Sequence, residues 1–247
     1  MTIDAIVGTA DRRLAEFAAA ARKMAKPTDL DHTLEVVIER VEQAFLCDAV
    51  GILLVDNGHI TTAAASEPAV KQADDLQMSC GEGPCLEAIT RRRDHIVDDL
   101  RCDSRWLRWG PKAAELGWRS VLSLGLRDDE RTFGALNLYA RQTSSFSTDD
   151  LALGDVFSAH AAIALAGARE RGGLLKAVDA RHLIGQAQGI LMERFAIDAE
   201  QAFTVLQRYS SHTNRKLRLV AEDIVLHRKL PESPVTLDSG IARGRRA

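Results

Sequence analysis

Residues 181–229 constrain the fold of this chain more than any other stretch. Three apolar runs lie there, and in each run apolar residues recur three or four positions apart, which places them on one face of a helix. Asp198 followed by Gln201 is a helix-start pattern, and Pro231 ends the last run. We therefore predict three helices that bury their apolar faces against each other, with a polar elbow at residues 210–214.

The apolar positions of these runs define the predicted core of the three-helix module. Thr213 or Asn214 is expected to cap the third helix. Upstream, Gly172 and Gly173 interrupt a helical pattern, because glycine weakens a helix, and we place the joint between a front and a back domain there. The predicted inward residues are Ile184, Ala187, Ile190, Leu191 and Phe195 in the first helix, Ala202, Val205, Leu206 and Tyr209 in the second, and Leu217, Val220, Ala221, Ile224 and Val225 in the third.

Charge is divided unevenly along the chain. Residues 1–170 hold 19 lysines and arginines against 27 aspartates and glutamates, whereas residues 171–230 hold 10 against 6. An acidic front and a basic back suggest different partners, and the back is the candidate for nucleic acid. A solvated helical face would give the same count, so charge alone leaves both interpretations open.

The front of the chain predicts an antiparallel sheet with helices packed on it, an α+β fold. Asn57-Gly58 between two apolar runs is a strong hairpin signal, because both turn residues must tolerate positive φ. A second turn is predicted at residues 128–131. Predicted strands cover residues 49–55, 59–65, 95–97, 120–126 and 132–139, and predicted helices cover residues 12–25, a segment after Asp29 or Asp31, residues 103–116 and a long segment from Thr148.

Cys80 and Cys85 raise a metal or redox interpretation of the front domain. A Cys-x4-Cys pair without a second pair or a nearby histidine is poor zinc spacing, so no metal site is predicted. A reactive thiol needs a basic neighbour or a helix N-terminus. Cys85 follows Pro84 at such a position, although structural burial is the stronger interpretation. Trp106 and Trp109 either face a ligand or belong to the core.

The sequence carries no signature of the common catalytic classes. Gly81 and Gly83 lack the third glycine of a dinucleotide fingerprint, and no Walker lysine, HExxH or G-x-S-x-G occurs. No run of about 18 apolar residues predicts a membrane span, and the N-terminus lacks a secretory signal. We expect a cytoplasmic protein that is not an enzyme, and no cofactor is identified. Residues 231–247 lack an apolar period and are expected to be disordered.

The element order of the front and the phrase Gly81-Glu-Gly-Pro-Cys85-Leu resemble a GAF domain, in particular that of the actinobacterial two-domain GAF–ANTAR regulators. The resemblance covers roughly residues 27–167. It implies a sensor whose pocket, near Cys80, Cys85, Trp106 and Trp109, takes a small-molecule ligand. Some GAF proteins reduce free methionine sulfoxide with cysteines in this pocket, so a cysteine-dependent reductase stays as an alternative.

The back of the chain resembles the ANTAR RNA-binding domain. The matching residues are the run IGQAQGILM at 184–192, Ala202-Phe203 and the run at 214–221. The resemblance implies an RNA-binding domain over residues 168–230, a three-helix module that binds paired stem-loops in leader transcripts and prevents a transcription terminator from forming. The family usually has a basic residue where this chain has Gln188, which lowers the expected affinity and salt dependence.

The RNA site implied by this resemblance combines positive charge with short polar groups, which RNA loops require. Arg215, Lys216 and Arg218 supply the charge at the start of the third helix, whose N-terminal N–H groups also attract anions. The small residues would alternatively serve helix packing, and the polar ones a helix cap. The predicted site residues are Ala187, Gln188, Gly189, Ser210, Ser211, Thr213, Asn214, Arg215, Lys216 and Arg218.

A signal-responsive antitermination regulator is therefore the predicted function. Apolar residues around Gly172 follow a heptad pattern, although imperfectly, and this pattern predicts a helical stem that joins two copies of the chain. In the predicted mechanism, the stem of this homodimer passes a ligand or redox signal to two RNA-binding modules. Two more alternatives stay open. One is a DNA-binding regulator, because a basic three-helix module fits a major groove. The other is a protein-interaction dimer without a nucleic acid partner.

Overall fold

The computed structural model describes residues 29–229 of the 247-residue chain. The helix predicted at residues 12–25 and the tail at 231–247 lie outside the described residues. The chain divides between Gly172 and Gly173 into two compact units. We call these the N-terminal unit and the C-terminal unit.

A five-stranded antiparallel sheet forms the centre of the N-terminal unit. Its strands are β1 (Ala49–Asp56), β2 (His59–Ala65), β3 (His95–Val97), β4 (Ser120–Arg127) and β5 (Thr132–Ala140). Their order across the sheet is β2-β1-β5-β4-β3, and every neighbouring pair is antiparallel. The α+β fold class predicted for this part of the chain is confirmed.

Both predicted turns join strands of this sheet. Asn57 and Gly58 have φ values of 50° and 81°, in the left-handed region that asparagine and glycine tolerate best. Between β4 and β5, the Asp128 carboxylate accepts hydrogen bonds from the N–H groups of Glu130 and Arg131, at 2.9 and 2.6 Å. Short-range interactions therefore shape both hairpin turns.

Helices cover both faces of the sheet. They are α1 (Leu30–Ala44), α2 (Pro68–Cys80), α3 (Pro84–Thr90), α4 (Gly110–Glu115) and the first part of α5 (Thr148–Phe195). Asp29 begins α1 by accepting a hydrogen bond from the N–H of His32 at 2.9 Å. One sheet face packs against α1 and α5, and the other against α2, α3 and α4. The alternation of side chains along each strand supplies apolar residues to both layers.

The helix predicted over residues 103–116 is present only as α4, so its first half was predicted wrongly. Residues 103–109 contain turns instead. Side chains satisfy the backbone in this segment. The Glu82 carboxylate accepts hydrogen bonds from the N–H groups of Arg108 and Trp109, at 2.5 and 2.9 Å. The Arg105 guanidinium donates to the carbonyl of Ile96 at 2.8 Å. These contacts hold the chain away from a helical course.

α5 passes through Gly172 and Gly173 without a break, so the predicted interruption was wrong. A Cβ atom built at either glycine meets nothing within 4 Å, and packing therefore does not demand glycine here. Two helical glycines cost roughly 1–2 kcal/mol relative to two alanines. The helix-forming residues on both sides outweigh that cost.

Within residues 29–229, α5 is the one helix long and apolar enough to cross a membrane, by length and composition. Its most apolar 18-residue window has a mean hydropathy of 1.5, and 39% of that window is buried. The sequence-based expectation that no such segment exists is therefore not confirmed. Phe157, Ala161 and Leu165 of this helix are buried against the sheet, which is how the core helix of a water-soluble domain packs.

Three helices form the C-terminal unit: the last part of α5, α6 (Ala199–Thr213) and α7 (Leu217–His227). The predicted start of α6 is confirmed as a capping box. Asp198 accepts from the N–H of Gln201 at 2.8 Å, and the Gln201 side chain accepts from the N–H of Asp198 at 3.1 Å. The buried residues are Ala187, Leu191, Ala202, Leu206, Tyr209, Val220, Ala221 and Ile224, all predicted to face inward.

Phe195 does not join this core, contrary to the prediction. Its side chain is 46% exposed, and the Arg194 guanidinium lies 5.9 Å from the centre of its ring. α5 ends at Phe195, and Ala196 turns the chain with a φ of 52°. The buried face of α5 therefore ends at Leu191, four residues before Phe195.

Candidate nucleic-acid interface and buried polar cluster

The predicted polar elbow is helical for most of its length. α6 runs through Thr213, and Asn214, with a φ of 50°, is the residue that ends α6. The prediction that Thr213 or Asn214 caps the third helix was therefore wrong. The Thr213 hydroxyl donates to the carbonyl of Tyr209 at 2.6 Å, and Lys216 occupies the N-cap position of α7 without a side-chain hydrogen bond.

Ser210 fixes the turn between α6 and α7. Its hydroxyl donates to the carbonyl of Arg215 at 2.6 Å, and the N–H of Arg215 donates to the carbonyl of Ser210 at 3.1 Å. These two hydrogen bonds close the turn around Asn214. Ser210 was predicted to contact RNA, but in this structure its hydroxyl is used to shape the turn. Ser211 and Asn214 are exposed beside it.

The turn presents three cations within four residues. Arg215, Lys216 and Arg218 are all exposed. The Arg215 guanidinium lies 2.6 Å from the Asp223 carboxylate, and that of Arg218 lies 3.4 Å from Glu222. Because the N-cap of α7 provides no side-chain acceptor, the first N–H groups of α7 are free of a capping side chain. An anion would meet positive charge and N–H donors at this end of α7.

The predicted small-residue contacts on α5 are arranged differently. Ala187 is fully buried in the three-helix core, so the packing interpretation holds for it, and its side chain is not at the surface. The Gln188 amide donates to the carbonyl of Ala199 at 2.9 Å, which joins α5 to the start of α6. Gly189 is exposed, and a Cβ atom at this position would meet nothing within 4 Å.

The structure therefore divides the predicted RNA site into two parts. Gln188 contacts the first residue of α6, whereas Arg215, Lys216 and Arg218 follow the last residue of that helix. A helix rises 1.5 Å per residue, so the 15 residues of α6 separate the two parts by about 20 Å. Ser211, Asn214, Arg215, Lys216 and Arg218 form one compact surface, which we call the cationic turn. Gln188 and Gly189 lie outside it.

Sequence reasoning missed an open groove on α5. It has a volume of about 580 Å³ and is lined by Val178, Arg181, His182, Gly185 and Gln186. The His182 ring and the Gln186 amide approach each other to 3.0 Å at its edge. The available signal was the spacing of Val178, Arg181, His182 and Gly185, which places these residues on one side of a helix.

A buried polar cluster lies between α2 and the sheet of the N-terminal unit. Asp74 on α2 is fully buried and accepts hydrogen bonds from Asn137 Nδ2 at 3.0 Å and the Tyr139 hydroxyl at 2.8 Å. The Thr62 hydroxyl donates to its other oxygen at 3.4 Å. The Ser123 hydroxyl donates to Asn137 at 2.7 Å. One carboxylate therefore ties α2 to β2 and β5.

Burial dominates the acid–base chemistry of this cluster. It raises the pKa of Asp74 to about 7, and hydrogen bonds from Tyr139, Asn137 and Thr62 only partly offset that. Burial, with the nearby Asp74 charge, also raises the pKa of the Tyr139 hydroxyl and the Cys85 thiol well above their ordinary values. No cation is among the groups that perturb the pKa of Asp74.

The signal missed in the sequence was the spacing of Val70, Asp74 and Gln77, which places Asp74 on the inward face of α2.

The four predicted sensor-pocket residues are all buried, in two different clusters. Cys85 packs with Leu53, Ala88 and Ala135, whereas Cys80 packs with the tryptophans. The rings of Trp106 and Trp109 meet edge to face with centres 6.3 Å apart. These side chains fill the layer between helices and sheet, so the core interpretation holds for the two tryptophans in this structure.

The Gly-Glu-Gly-Pro-Cys phrase connects these clusters. Gly81 ends α2 in the left-handed region, with a φ of 68°. Glu82 holds residues 103–109, which we call the tryptophan loop, through the backbone N–H groups of Arg108 and Trp109. The N–H of Cys85 donates to Gln77 Oε1 at 3.0 Å. The phrase thus has a structural role here, and the Cys85 thiol at its end is sealed from water.

The chain belongs to the GAF-domain family, because a GAF-domain model matches residues 27–166. An ANTAR-domain model matches residues 173–225. The protein therefore has the two-domain GAF–ANTAR architecture, which is that of a signal-responsive ANTAR regulator. Among curated proteins, none matches the chain.

Solved structures similar to the N-terminal unit share its fold. The GAF domain of a phosphoenolpyruvate-protein phosphotransferase from Coxiella burnetii is 20% identical with a TM-score of 0.56, over 65% of this chain and 96% of that one. Its counterpart from Acinetobacter is 16% identical with a TM-score of 0.52, over 66% and 98%. Free methionine-R-sulfoxide reductase from Neisseria meningitidis is 18% identical with a TM-score of 0.50, over 62% and 88%. Likeness at these identities concerns the fold alone.

Asp74 should make the stability of the protein depend on pH. Its pKa is raised from 3.8 to about 7, so the folded state binds the proton more tightly than the unfolded state. Its contribution to stability is therefore greatest at low pH, and is lost as pH rises from about 4 to about 7. In Asp74→Asn this loss is absent, so the stability of the variant relative to the parent should increase over that range, by at most about 4 kcal/mol.

Urea denaturation of both proteins at several pH values measures this difference. Asp75→Asn is the matched control, because Asp75 is exposed and pairs with Lys71 at 2.6 Å. Parallel stability–pH curves for the parent and Asp74→Asn would contradict the assignment.

Proposed function

We propose that this protein is a cytoplasmic RNA-binding regulator of transcription antitermination. In this proposal its ANTAR module binds paired stem-loops in leader transcripts, under control of the GAF domain. The observation that carries the proposal is the cationic turn. Three exposed cations stand there on a backbone held by the two Ser210–Arg215 hydrogen bonds.

The chemistry of this surface fits RNA. Phosphates are neutralised by arginine and lysine, and unpaired bases and 2′-hydroxyls are recognised by short polar groups. Ser211 and Asn214 are exposed beside the cations. Because the turn is closed by its own hydrogen bonds, little backbone entropy is lost when a ligand binds. Ala187 supports the module from its core and Gln188 joins α5 to α6, so neither is needed as an RNA contact in this proposal.

Charge reversal at the turn tests the proposal. Arg215→Glu combined with Lys216→Glu should weaken binding of a tandem stem-loop RNA by at least about 100-fold and make the salt dependence shallower by about two ions. Fluorescence anisotropy at several salt concentrations measures both. Arg93→Glu with Arg101→Glu, two exposed arginines of the GAF domain, is the charge-matched control.

The same titration separates the DNA-binding alternative. The parent should bind the RNA more tightly than duplex DNA at equal salt, and RNA that co-purifies from cells should be enriched in paired stem-loops upstream of genes. Tighter binding of duplex DNA would favour the alternative. Unchanged RNA binding by the charge-reversed variant would place the site elsewhere.

We also propose that the protein works as a homodimer. Leu174, Leu175 and Val178 of α5 are 62%, 63% and 64% exposed, which is unusual for adjacent large apolar residues. Leu174 and Val178 are four residues apart, the spacing of a helix–helix seam. In the GAF domain, Val156 and Ile163 of α5 are exposed and seven residues apart. Two linked modules would hold paired stem-loops with greater avidity than one.

Glutamate at the seam should separate the protomers. We expect Leu174→Glu with Val178→Glu to give a monomer by light scattering at concentrations where the parent is dimeric, because two charges would be buried without partners. Lys176→Glu is the control, since Lys176 lies on the opposite side of the helix from both residues. A seam variant that stays dimeric would exclude this part of α5 from the interface.

The proposed signal is a small molecule or a redox change at the GAF domain. Asp74 supports a ligand site, because a buried carboxylate with raised pKa and no cationic partner is characteristic of functional positions. A ligand regulates RNA binding only if it binds the two states of the protein with different affinity. We therefore propose that the signal acts on the Asp74 cluster, where a bound molecule would have to displace side chains that fill the layer between α2 and the sheet.

We propose further that the protein is not an enzyme. The Cys85 thiol is fully buried and its pKa is raised, and a thiol is a nucleophile only as the thiolate. The parent protein, assayed with free methionine sulfoxide and a dithiol reductant, should show no turnover. Turnover that Cys85→Ser abolishes would establish the reductase alternative instead.

A further inference from the structure

Asp223 holds the Arg215 side chain of the cationic turn. The carboxylate oxygen of Asp223 lies 2.6 Å from a terminal guanidinium nitrogen of Arg215, whereas the Arg218–Glu222 contact is longer, at 3.4 Å. Arg215 precedes α7, and Asp223 lies in the second turn of that helix. The ion pair therefore draws the guanidinium along α7 and away from the start of the helix, where Lys216 stands.

We propose that Asp223 acts as an internal counter-ion that lowers the affinity of the cationic turn for RNA. In the RNA-free protein its carboxylate occupies the position that an RNA phosphate would take on Arg215. RNA binding then requires the guanidinium to exchange one anionic partner for another. This inference rests on the proposed RNA-binding function and adds a residue that reduces RNA binding.

The exchange has two electrostatic consequences. First, the exchange breaks the Arg215–Asp223 ion pair, which costs free energy. The two side chains are 40% and 31% exposed, so the pair is partly shielded from water and stronger than a fully exposed pair. After exchange, the freed carboxylate remains close to the bound phosphate and repels it. Both consequences weaken binding, and both disappear when Asp223 loses its charge.

Lys216 makes the effect specific to Arg215. Lys216 is exposed and makes no ion pair within 4 Å to any of residues 29–229, so no carboxylate in this part of the chain competes with a phosphate for its ammonium group. The two neighbouring cations thus differ: Lys216 is available at once, and Arg215 becomes available only when Asp223 releases it. A variant that removes the Asp223 charge should convert Arg215 into a second available cation.

A double-mutant cycle tests this assignment. The proteins are the full-length parent, Asp223→Asn, Arg215→Gln and the double variant, each titrated with a labelled tandem stem-loop RNA whose loops are randomised. Asp223→Asn should bind about fivefold more tightly than the parent at moderate salt, which corresponds to the upper range of a partly exposed ion pair. In the Arg215→Gln background the same substitution should give little gain, because its partner is missing.

Glu193→Gln separates this effect from a change in net charge. Glu193 is exposed on α5, and the substitution removes one negative charge from the same module without touching Arg215. Its affinity should stay close to that of the parent. Asp223→Ser is a second variant, and thermal unfolding followed by circular dichroism verifies that each protein is folded.

The outcomes distinguish the inference from the function on which it rests. The inference alone is overturned if the parent binds RNA and the folded variants Asp223→Asn and Asp223→Ser bind it equally well or more weakly. An equal gain in Glu193→Gln, or a gain in the Arg215→Gln background as large as in the parent, also overturns it. Failure of the parent and all folded variants to bind RNA removes the proposed function together with the inference.

Discussion

A buried carboxylate organises the outer layer of the GAF domain. Asp74 accepts hydrogen bonds from two strands and so sets the position of α2 on the sheet. Once α2 is placed, the Gln77 side chain accepts a hydrogen bond from the N–H of Cys85. The Glu82 carboxylate then accepts hydrogen bonds from two N–H groups of the tryptophan loop. The loop returns to α2, since the Trp109 indole donates to the carbonyl of Ala73 at 3.0 Å. Polar groups thus connect elements that hydrophobic packing alone would leave free to slide.

The ANTAR module is organised by the opposite means. Its core is apolar, and the exposed turn between α6 and α7 is fixed by local hydrogen bonds between Ser210 and Arg215. Because the cations of the turn are exposed and lie outside that core, their charge can vary with little effect on packing. The Asp223–Arg215 pair lies on this surface and outside the apolar core, so the substitutions proposed there leave the core packing untouched.

Local signals in the sequence were sufficient for much of the fold. The Asn57-Gly58 turn, the Asp198–Gln201 capping box and the inward faces of α6 and α7 each depend on residues close together in the chain. Features that depend on distant partners were missed. Helical spacing places Asp74 on the inward face of α2, but its three distant donors are what allow a carboxyl group to be buried there.

The candidate site shows the same division. The cations of the turn are adjacent in sequence and were identified as a group. The separation of Gln188 from them by the length of α6 could not be predicted, because it depends on which end of α6 each segment contacts. The turns at residues 103–109 could not be predicted, because the Glu82 carboxylate that accepts from the N–H groups of Arg108 and Trp109 lies 26 and 27 residues away in sequence.

All three tryptophans of the chain, Trp106, Trp109 and Trp118, lie in one buried cluster of the GAF domain. The ANTAR module has none. Tryptophan emission therefore observes the GAF domain without any contribution from the module, although both are parts of the same polypeptide. Arg105 and Arg141 stand over the rings of Trp106 and Trp118, at 4.5 and 4.6 Å, and their positive charge makes the emission wavelength sensitive to small displacements. The molecule thus carries an intrinsic optical probe confined to its sensory half.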